Sequence, residues 1–349
     1  MKDNSKHART RRKFLKNSAA LATGIVLSEP LVFGAPSILS SYNQNDSKIN
    51  GVQIGCITYS FRDMTDQSAE ATLQYVLDAG INAIELMGDP AEHFAGKPKN
   101  PVDRRVFYGM MRKSKSGGLT QNQIKEFEEM KSQLENHRKV VADWRSTVGM
   151  GKFEQLKKMY TDKGVHIYAF KPNAFGVKNT DAEIDYGLRA AKVLGADHVT
   201  LELPGNDAHT RKLGIMAAKH GMNVAYHGHT QQTPTFWDTA LKQSEHNMLN
   251  LDLGHYIAGG NTDALELIQS KHERISSMHL KDRKNPENGQ ANMSFGKGDT
   301  PIVEVLQLMR DKKYTYPVSI ELEYEVPQDS NPVKEVAKCL EYCRKALEG

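Results

Sequence analysis

From residue 50 onward the chain alternates between two hydrophobic patterns. Short runs rich in Val, Ile, Leu and Tyr fall at Val52–Phe61, Ile81–Gly88, Val165–Asn173, His198–Pro204, Asn223–His229, Met248–His255, Arg274–Asp282 and Tyr316–Glu325. Their length and composition predict strands. Between them, apolar residues recur at helical spacing in Ala69–Ala79, Asp181–Leu194, Arg211–His220, Ala264–Lys271, Ile302–Lys312 and Val333–Leu347. Two of these carry start signals: Asp299-Thr300-Pro301 offers a capping side chain before a proline, and Asn261-Thr262-Asp263 offers caps alone. Five consecutive predicted strands begin at 165, 198, 223, 248 and 274, which are 25 to 33 residues apart, close to the roughly 30 residues of one βαβ unit. Eight units in about 300 residues predict an α/β chain closed as a (β/α)8 TIM barrel. A doubly wound sheet would more often carry a glycine-rich turn after its first strand, and here Phe61 is followed by Arg62-Asp63-Met64.

One gap breaks the rhythm. About eighty residues separate the second and third predicted strands, including Lys97-Pro98-Lys99-Asn100-Pro101 and a charged helical stretch from Gln121 to Trp144. A connection that long is uncommon unless it has a role. It predicts a helical insertion near the barrel mouth, either a lid or the contact of a homo-oligomer, or a solvated arm with no role in the chemistry.

In such a barrel, side chains alternate between the interior and the helix layer, and those at the carboxyl ends of strands line the active site. In Met248–His255 the leucines at 249, 251 and 253 take the outer face, so Asn250 and Asp252 point in. The same alternation sends in His279 and Lys281, then Glu321 and Glu323 with Glu321 the deeper, then His227 and His229, Glu202 and Glu85. Acidic and imidazole groups from neighbouring strands thus converge on one mouth. Buried carboxylates need a cationic partner, and this donor set suits one divalent ion such as Mn²⁺, Co²⁺, Zn²⁺, Mg²⁺ or Fe²⁺.

Charge adds an address. The 349 residues carry a formal charge of +4, yet much of the excess sits in Lys2, Lys6, Arg9, Arg11, Arg12, Lys13 and Lys16. The remainder is near balance, which argues against a nucleic-acid partner, since that needs a basic stripe on the folded domain. Thr10-Arg11-Arg12-Lys13-Phe14-Leu15-Lys16 precedes an apolar run from Ala19 to about Val32, and this order is that of a secretion signal. The paired arginines resemble the bacterial twin-arginine signal. Residues 1–48 are therefore expected to be an export signal and linker, with cleavage near Ala35, and residues 49–349 a periplasmic catalytic domain. Ser28, Glu29 and Pro30 break the apolar run below the about 20 residues a membrane span needs, so no membrane association is expected once the signal is removed. Three cysteines make no disulfide framework; Cys56, Cys339 and Cys343 read as packing residues.

The stretches Tyr226-His227-Gly228-His229, Leu251-Asp252-Leu253-Gly254-His255, His279-Leu280-Lys281-Asp282 and Ile320-Glu321-Leu322-Glu323 resemble the xylose-isomerase-like TIM-barrel superfamily over residues 50–348. The similar branch is the sugar phosphate isomerase/epimerase group, which includes keto-sugar epimerases and inosose dehydratase. The resemblance implies a metal held by one ligand from each of the last four strands: His229 or His227, then Asp252, His279 and Glu321. A histidine on the fifth strand departs from the epimerase pattern, where a carboxylate is both ligand and acid/base, and Glu202 could supply that carboxylate. The implied chemistry is proton abstraction beside a sugar carbonyl to give an enediolate, with Glu202, Glu323 and His255 as candidate catalytic groups. Glu85, Lys171, His227 and Lys281 are expected to bind substrate. Epimerisation, isomerisation and dehydration or lyase cleavage all follow from the same first step. Export points to an unphosphorylated keto-sugar, inosose or keto-glycoside. The nearest thing to a phosphate cradle, Ser294-Phe295-Gly296-Lys297-Gly298-Asp299, reads as an ordinary loop before a helix. The competing readings are a non-catalytic carbohydrate-binding barrel and an endonuclease-IV-like nuclease, the latter disfavoured by the near-neutral domain.

Overall fold

The computed structural model describes residues 46–349; the expected export signal lies outside the described residues. Eight strands run parallel: β1 (Val52–Ile57), β2 (Ala83–Met87), β3 (His166–Lys171), β4 (His198–Glu202), β5 (Asn223–His227), β6 (Asn247–Asp252), β7 (Ile275–Leu280) and β8 (Val318–Ile320). Each strand pairs with its neighbours in the sequence and β8 pairs with β1, so the sheet closes on itself. A two-residue strand, Lys48–Ile49, adds antiparallel to β1.

Closure explains the near-continuous apolar character of these strands, because a parallel barrel is covered on both faces. Leu249, Leu251, Met278, Leu280, Val318 and Ile320 are buried in the core shared with the helices. The interior also carries small and polar groups. Gly55 is one such position, since a Cβ there would stand 2.7 Å from the Tyr168 ring. Thr200, Asn250, Ser277, Ser319 and His198 are buried too, and each finds a hydrogen-bond partner, as buried polar groups must. Cys56, Cys339 and Cys343 are free and buried in the core.

Several predicted strands end early, because a ladder stops where its neighbour stops while the side-chain alternation runs on. Thr58–Phe61 closes as a 3-10 turn after β1, and Leu253–Ala258 is helical after β6. The eighth strand is only Val318–Ile320, with the Glu321 amide still donating to the Leu280 carbonyl at 2.9 Å. The expected caps also find other partners. The helix Ile302–Lys312 has no side-chain cap; Thr300 Oγ1 accepts from the Arg283 amide at 3.0 Å and Asp299 from the Asn285 amide at 3.0 Å. Ahead of Ala264–Lys271, Asp263 accepts from the Tyr256 hydroxyl at 2.7 Å instead of capping.

Between β2 and β3 stand the helices Gly88–Phe94, Arg104–Lys115, Gln121–Thr147 and Gly151–Thr161. The third has 27 residues, begins with a Thr120/Gln123 capping box, and buries only Phe127, Val141 and Arg145. Arg145 moors it. Its guanidinium donates to Glu92 at 2.8 and 3.0 Å, to Glu183 at 3.1 Å and to the Asn173 carbonyl at 2.8 Å. Glu92 and Asn173 follow β2 and β3, so the insertion is tied to the carboxyl-terminal side of the barrel, where the strand ends converge.

Candidate metal centre

Register brings the site together. Asp252 on β6 is level with His279 on β7, and His227 on β5 is level with Asn250 on β6. His279 is in turn level with Ser319 on β8, two residues before Glu321. His227, Asp252, His279 and Glu321 are all buried, and each offers one ligand atom within 4.8 Å of the others.

Hydrogen bonds fix what each group presents. His227 Nδ1 lies 2.8 Å from Asn250 Oδ1, an acceptor, so Nδ1 carries the proton and the Nε2 lone pair faces Asp252 Oδ2 at 3.8 Å. Asn250 Nδ2 donates to Ser277 Oγ at 2.7 Å, and Ser277 Oγ lies 2.9 Å from His198 Nε2. Burial, with the charges of Lys171 and His279, holds His227 well below the usual imidazole range, so it is neutral. His279 is the opposite case. Burial disfavours its charge, but Glu85 and Glu321 outweigh burial and push it up to about 10. Its Nε2 donates to Glu85 Oε2 at 2.7 Å and its Nδ1 to Glu321 Oε2 at 2.8 Å.

Asp252 carries the clearest sign of an ion site. Its Oδ1 accepts from the His255 amide at 2.7 Å, and its buried Oδ2 is met by side-chain nitrogens alone. Around that oxygen stand Lys281 Nζ at 3.0 Å, His227 Nε2 at 3.8 Å, and His255 Nε2 and His279 Nδ1 at 3.9 Å. Burial raises the Asp252 carboxyl to about 6 despite the lysine. The two imidazoles and two carboxylates of His227, His279, Asp252 and Glu321, buried and converging, fit a divalent cation of borderline hardness. Such an ion would displace the Nδ1 proton of His279, and Glu85 would keep the Nε2–H, the carboxylate–histidine pairing that orients a ligand from behind.

Two expectations are corrected here. Glu85 does not face the mouth: it is fully buried, its Oε1 accepts from Thr200 at 2.5 Å, and it backs His279. Burial alone would raise its carboxyl, yet His279 brings it down to about 2. His229, at 53% side-chain exposure, stands outside the inner group, and the fifth-strand imidazole that joins it is His227. His229 instead neighbours His227 and His255. That trio is a poor cation site, because Lys281 faces His255 Nε2 at 3.1 Å and Arg283 faces Nδ1 at 2.5 Å.

Of the remaining expected residues, Glu202 and Glu323 stand at the rim, whereas Lys281 and His255 are buried. Glu202 is 51% exposed at the end of β4, 3.2 Å from Lys171 and 3.8 Å from His229. Lys281 bridges Asp252, Glu321 and Glu323. Glu323 borders a cleft of about 660 Å³ that also meets Arg62, Met64, Tyr324 and Pro327. Asn250, Thr200 and Arg283 support the site from behind, contacting His227, Glu85 and His255 respectively; of these, the alternation in the sixth predicted strand points Asn250 inward. The loop at 294–299 is filled from within: Asp282 Oδ2 accepts from the amides of Gly296, Lys297 and Gly298 at 2.8, 3.1 and 2.8 Å, and its Oδ1 from that of Thr300 at 3.2 Å.

Residues 126–345 match the sequence model of the family described as xylose isomerase-like TIM barrel. The chain belongs to that family. No curated protein sequence matches it. Among solved structures, the probable 3-DHS dehydratase AsbF of Bacillus anthracis is 14% identical, over 83% of this chain and 98% of that one, with a TM-score of 0.56. The 3-keto-D-glucoside 4-epimerase YcjR of E. coli is 11% identical, over 84% and 99%, with a TM-score of 0.54. The IOLI protein, solved with a bound zinc atom, is 14% identical, over 84% and 98%, with a TM-score of 0.53. At these identities the three share the barrel with this member of the family.

Proposed function

We propose that this protein is a metal-dependent carbohydrate isomerase, epimerase or lyase that removes a proton beside the carbonyl of an unphosphorylated keto-sugar, inosose or keto-glycoside. The observation that carries the reading is the buried convergence of His227, Asp252, His279 and Glu321, whose ligand atoms all lie within 4.8 Å of one another. These four would hold the ion, which when bound would polarise a sugar carbonyl and stabilise the negative charge left by proton removal.

The chain supplies the proton chemistry. His255 is a poor base, because burial and the neighbouring Lys281 pull its ring down to about 2. That leaves two carboxylates on different sides of the mouth, Glu323 beyond β8 and Glu202 at the end of β4. A base must reach the carbon-bound proton directly or through one water. One carboxylate working alone would return the proton to the same face or to the next carbon, whereas the pair could deliver it to opposite faces. Lys171, held by Glu202, has N–H groups for substrate oxygens, whereas the Lys281 ammonium is engaged by Asp252, Glu321 and Glu323. Neighbours named as an epimerase and a dehydratase support a shared first step with different endings.

Two features support an unphosphorylated substrate. The amides best placed to bind phosphate already hold Asp282, and the basic, apolar start of the chain supports export to the periplasm. No helix among the described residues is long and apolar enough to cross a membrane.

The test is incubation of the Mn²⁺-loaded protein with keto-sugars and keto-glycosides in D₂O, followed by NMR. Deuterium is expected at a carbon beside the carbonyl, and EDTA should abolish its entry. Turnover with neither exchange nor metal dependence would discard this mechanism.

A further inference from the structure

The His-Leu-Lys-Asp and Leu-Asp-Leu-Gly-His stretches meet at one side chain. Lys281 is only 2% exposed, and its ammonium stands 3.0 Å from Asp252 Oδ2, 2.9 Å from Glu321 Oε2 and 2.8 Å from Glu323 Oε2, with His255 Nε2 at 3.1 Å. Asp252 Oδ2 and Glu321 Oε2 are also the oxygens that approach the ring nitrogens of His227 and His279. The lysine and a divalent cation would therefore draw on the same two atoms. Like charges that close in a buried site repel strongly, so the two cannot both keep these contacts.

The stem of the lysine is fixed and its head is not. A Cβ at position 254 would collide with Lys281 Cγ and stand 2.5 Å from its carbonyl oxygen, so Gly254 is the residue that lets this stem pass. Beyond Cγ the remaining torsions allow the head to lean either towards Asp252 and Glu321 or towards Glu323 and His255. Glu323 is the less buried of the carboxylates, at 23% side-chain exposure.

We propose that Lys281 is an exchangeable internal counter-ion: its ammonium and a divalent cation take Asp252 and Glu321 in turn, and ion binding sends the lysine head to Glu323 and His255. The inference rests on the metal reading above. In the ion-bound arrangement Lys281 is a positioning residue whose N–H groups are gathered at the rim, beside the carboxylate proposed as a base.

The test is calorimetric titration of MnCl₂ into the parent protein, K281M, E323Q and the double variant. Methionine keeps an unbranched stem beside Gly254 and removes the charge. K281M should bind Mn²⁺ about ten-fold more tightly than the parent, and E323Q about ten-fold more weakly. The E323Q loss should vanish in the K281M background, because Glu323 then has no ammonium to receive; such non-additivity reports a direct coupling. A packing role for the lysine predicts unchanged affinity in K281M, which overturns the proposal. An equal E323Q loss in both backgrounds overturns it as well, since Glu323 would then act on the ion directly. A second readout uses the parent protein alone: acylation of Lys281, mapped by mass spectrometry, should rise several-fold on Mn²⁺ addition, and unchanged labelling is contrary to the proposal. Absence of Mn²⁺ uptake by the parent removes the metal reading and this inference with it, whereas uptake without the K281M gain removes this inference alone.

Discussion

At the scale of single residues, the site depends on how each ligand is held as much as on the ligand itself. Asn250 fixes the His227 tautomer at 2.8 Å, so N250A should leave a folded protein whose Mn²⁺ affinity is about 10- to 100-fold weaker, the usual cost of losing an orienting partner; equilibrium dialysis reads this directly. D252A and H279A should lose bound metal while keeping parent-like circular dichroism, whereas H229A should retain it. Stoichiometric metal in both D252A and H279A would contradict the assignment. The period-two alternation made the inward aim of Asp252, His279 and Glu321 legible in the sequence, but alternation carries no depth. His227 and His229 both point in by that rule. Only the ladder separates them, because His227 is level with Asn250 while His229 lies past the last paired residue. Glu85 shows the same limit: an inward carboxylate deeper in the barrel meets His279 and Thr200 rather than a substrate.

At the scale of elements, the insertion between β2 and β3 announced itself by its length, and its helices by their charged amphipathic pattern. Its anchor did not. Arg145 sits in a helix crowded with Lys, Arg and Glu, and nothing local distinguishes it as the guanidinium buried between Glu92 and Glu183 on two other helices. Removing one member of a buried ion network leaves the others uncompensated, a loss of about 3–5 kcal/mol. R145A should lose stability of that order in urea unfolding, and hydrogen exchange should quicken first across the helix Gln121–Thr147. Uniform destabilisation with no local change would mean that the helix is held elsewhere. The missing caps before Ala264 and Ile302 follow a related logic, since a short polar side chain bonds whichever donor the tertiary structure brings nearest.

At the scale of the whole molecule, the barrel was legible because it is repetitive: five strand starts at nearly even spacing leave few alternatives. An ion bound by β5, β6, β7 and the segment after β8 joins nearly half the barrel, so it should stabilise the native state by about 2.7 kcal/mol at a hundred times its Kd. Thermal unfolding with and without EDTA should therefore differ by several degrees, and coincident curves would argue against the site.

The loop after β7 has a consequence for how this scaffold could change its diet. Asp282 acts as a stopper, holding four backbone N–H groups that would otherwise greet any small oxyanion. Pulling the stopper, as in D282A, should leave a nest able to recruit inorganic phosphate, visible as ³¹P line broadening that the parent lacks. A single codon thus stands between a loop whose amides are taken up by its own carboxylate and one whose amides are free for an anion from outside.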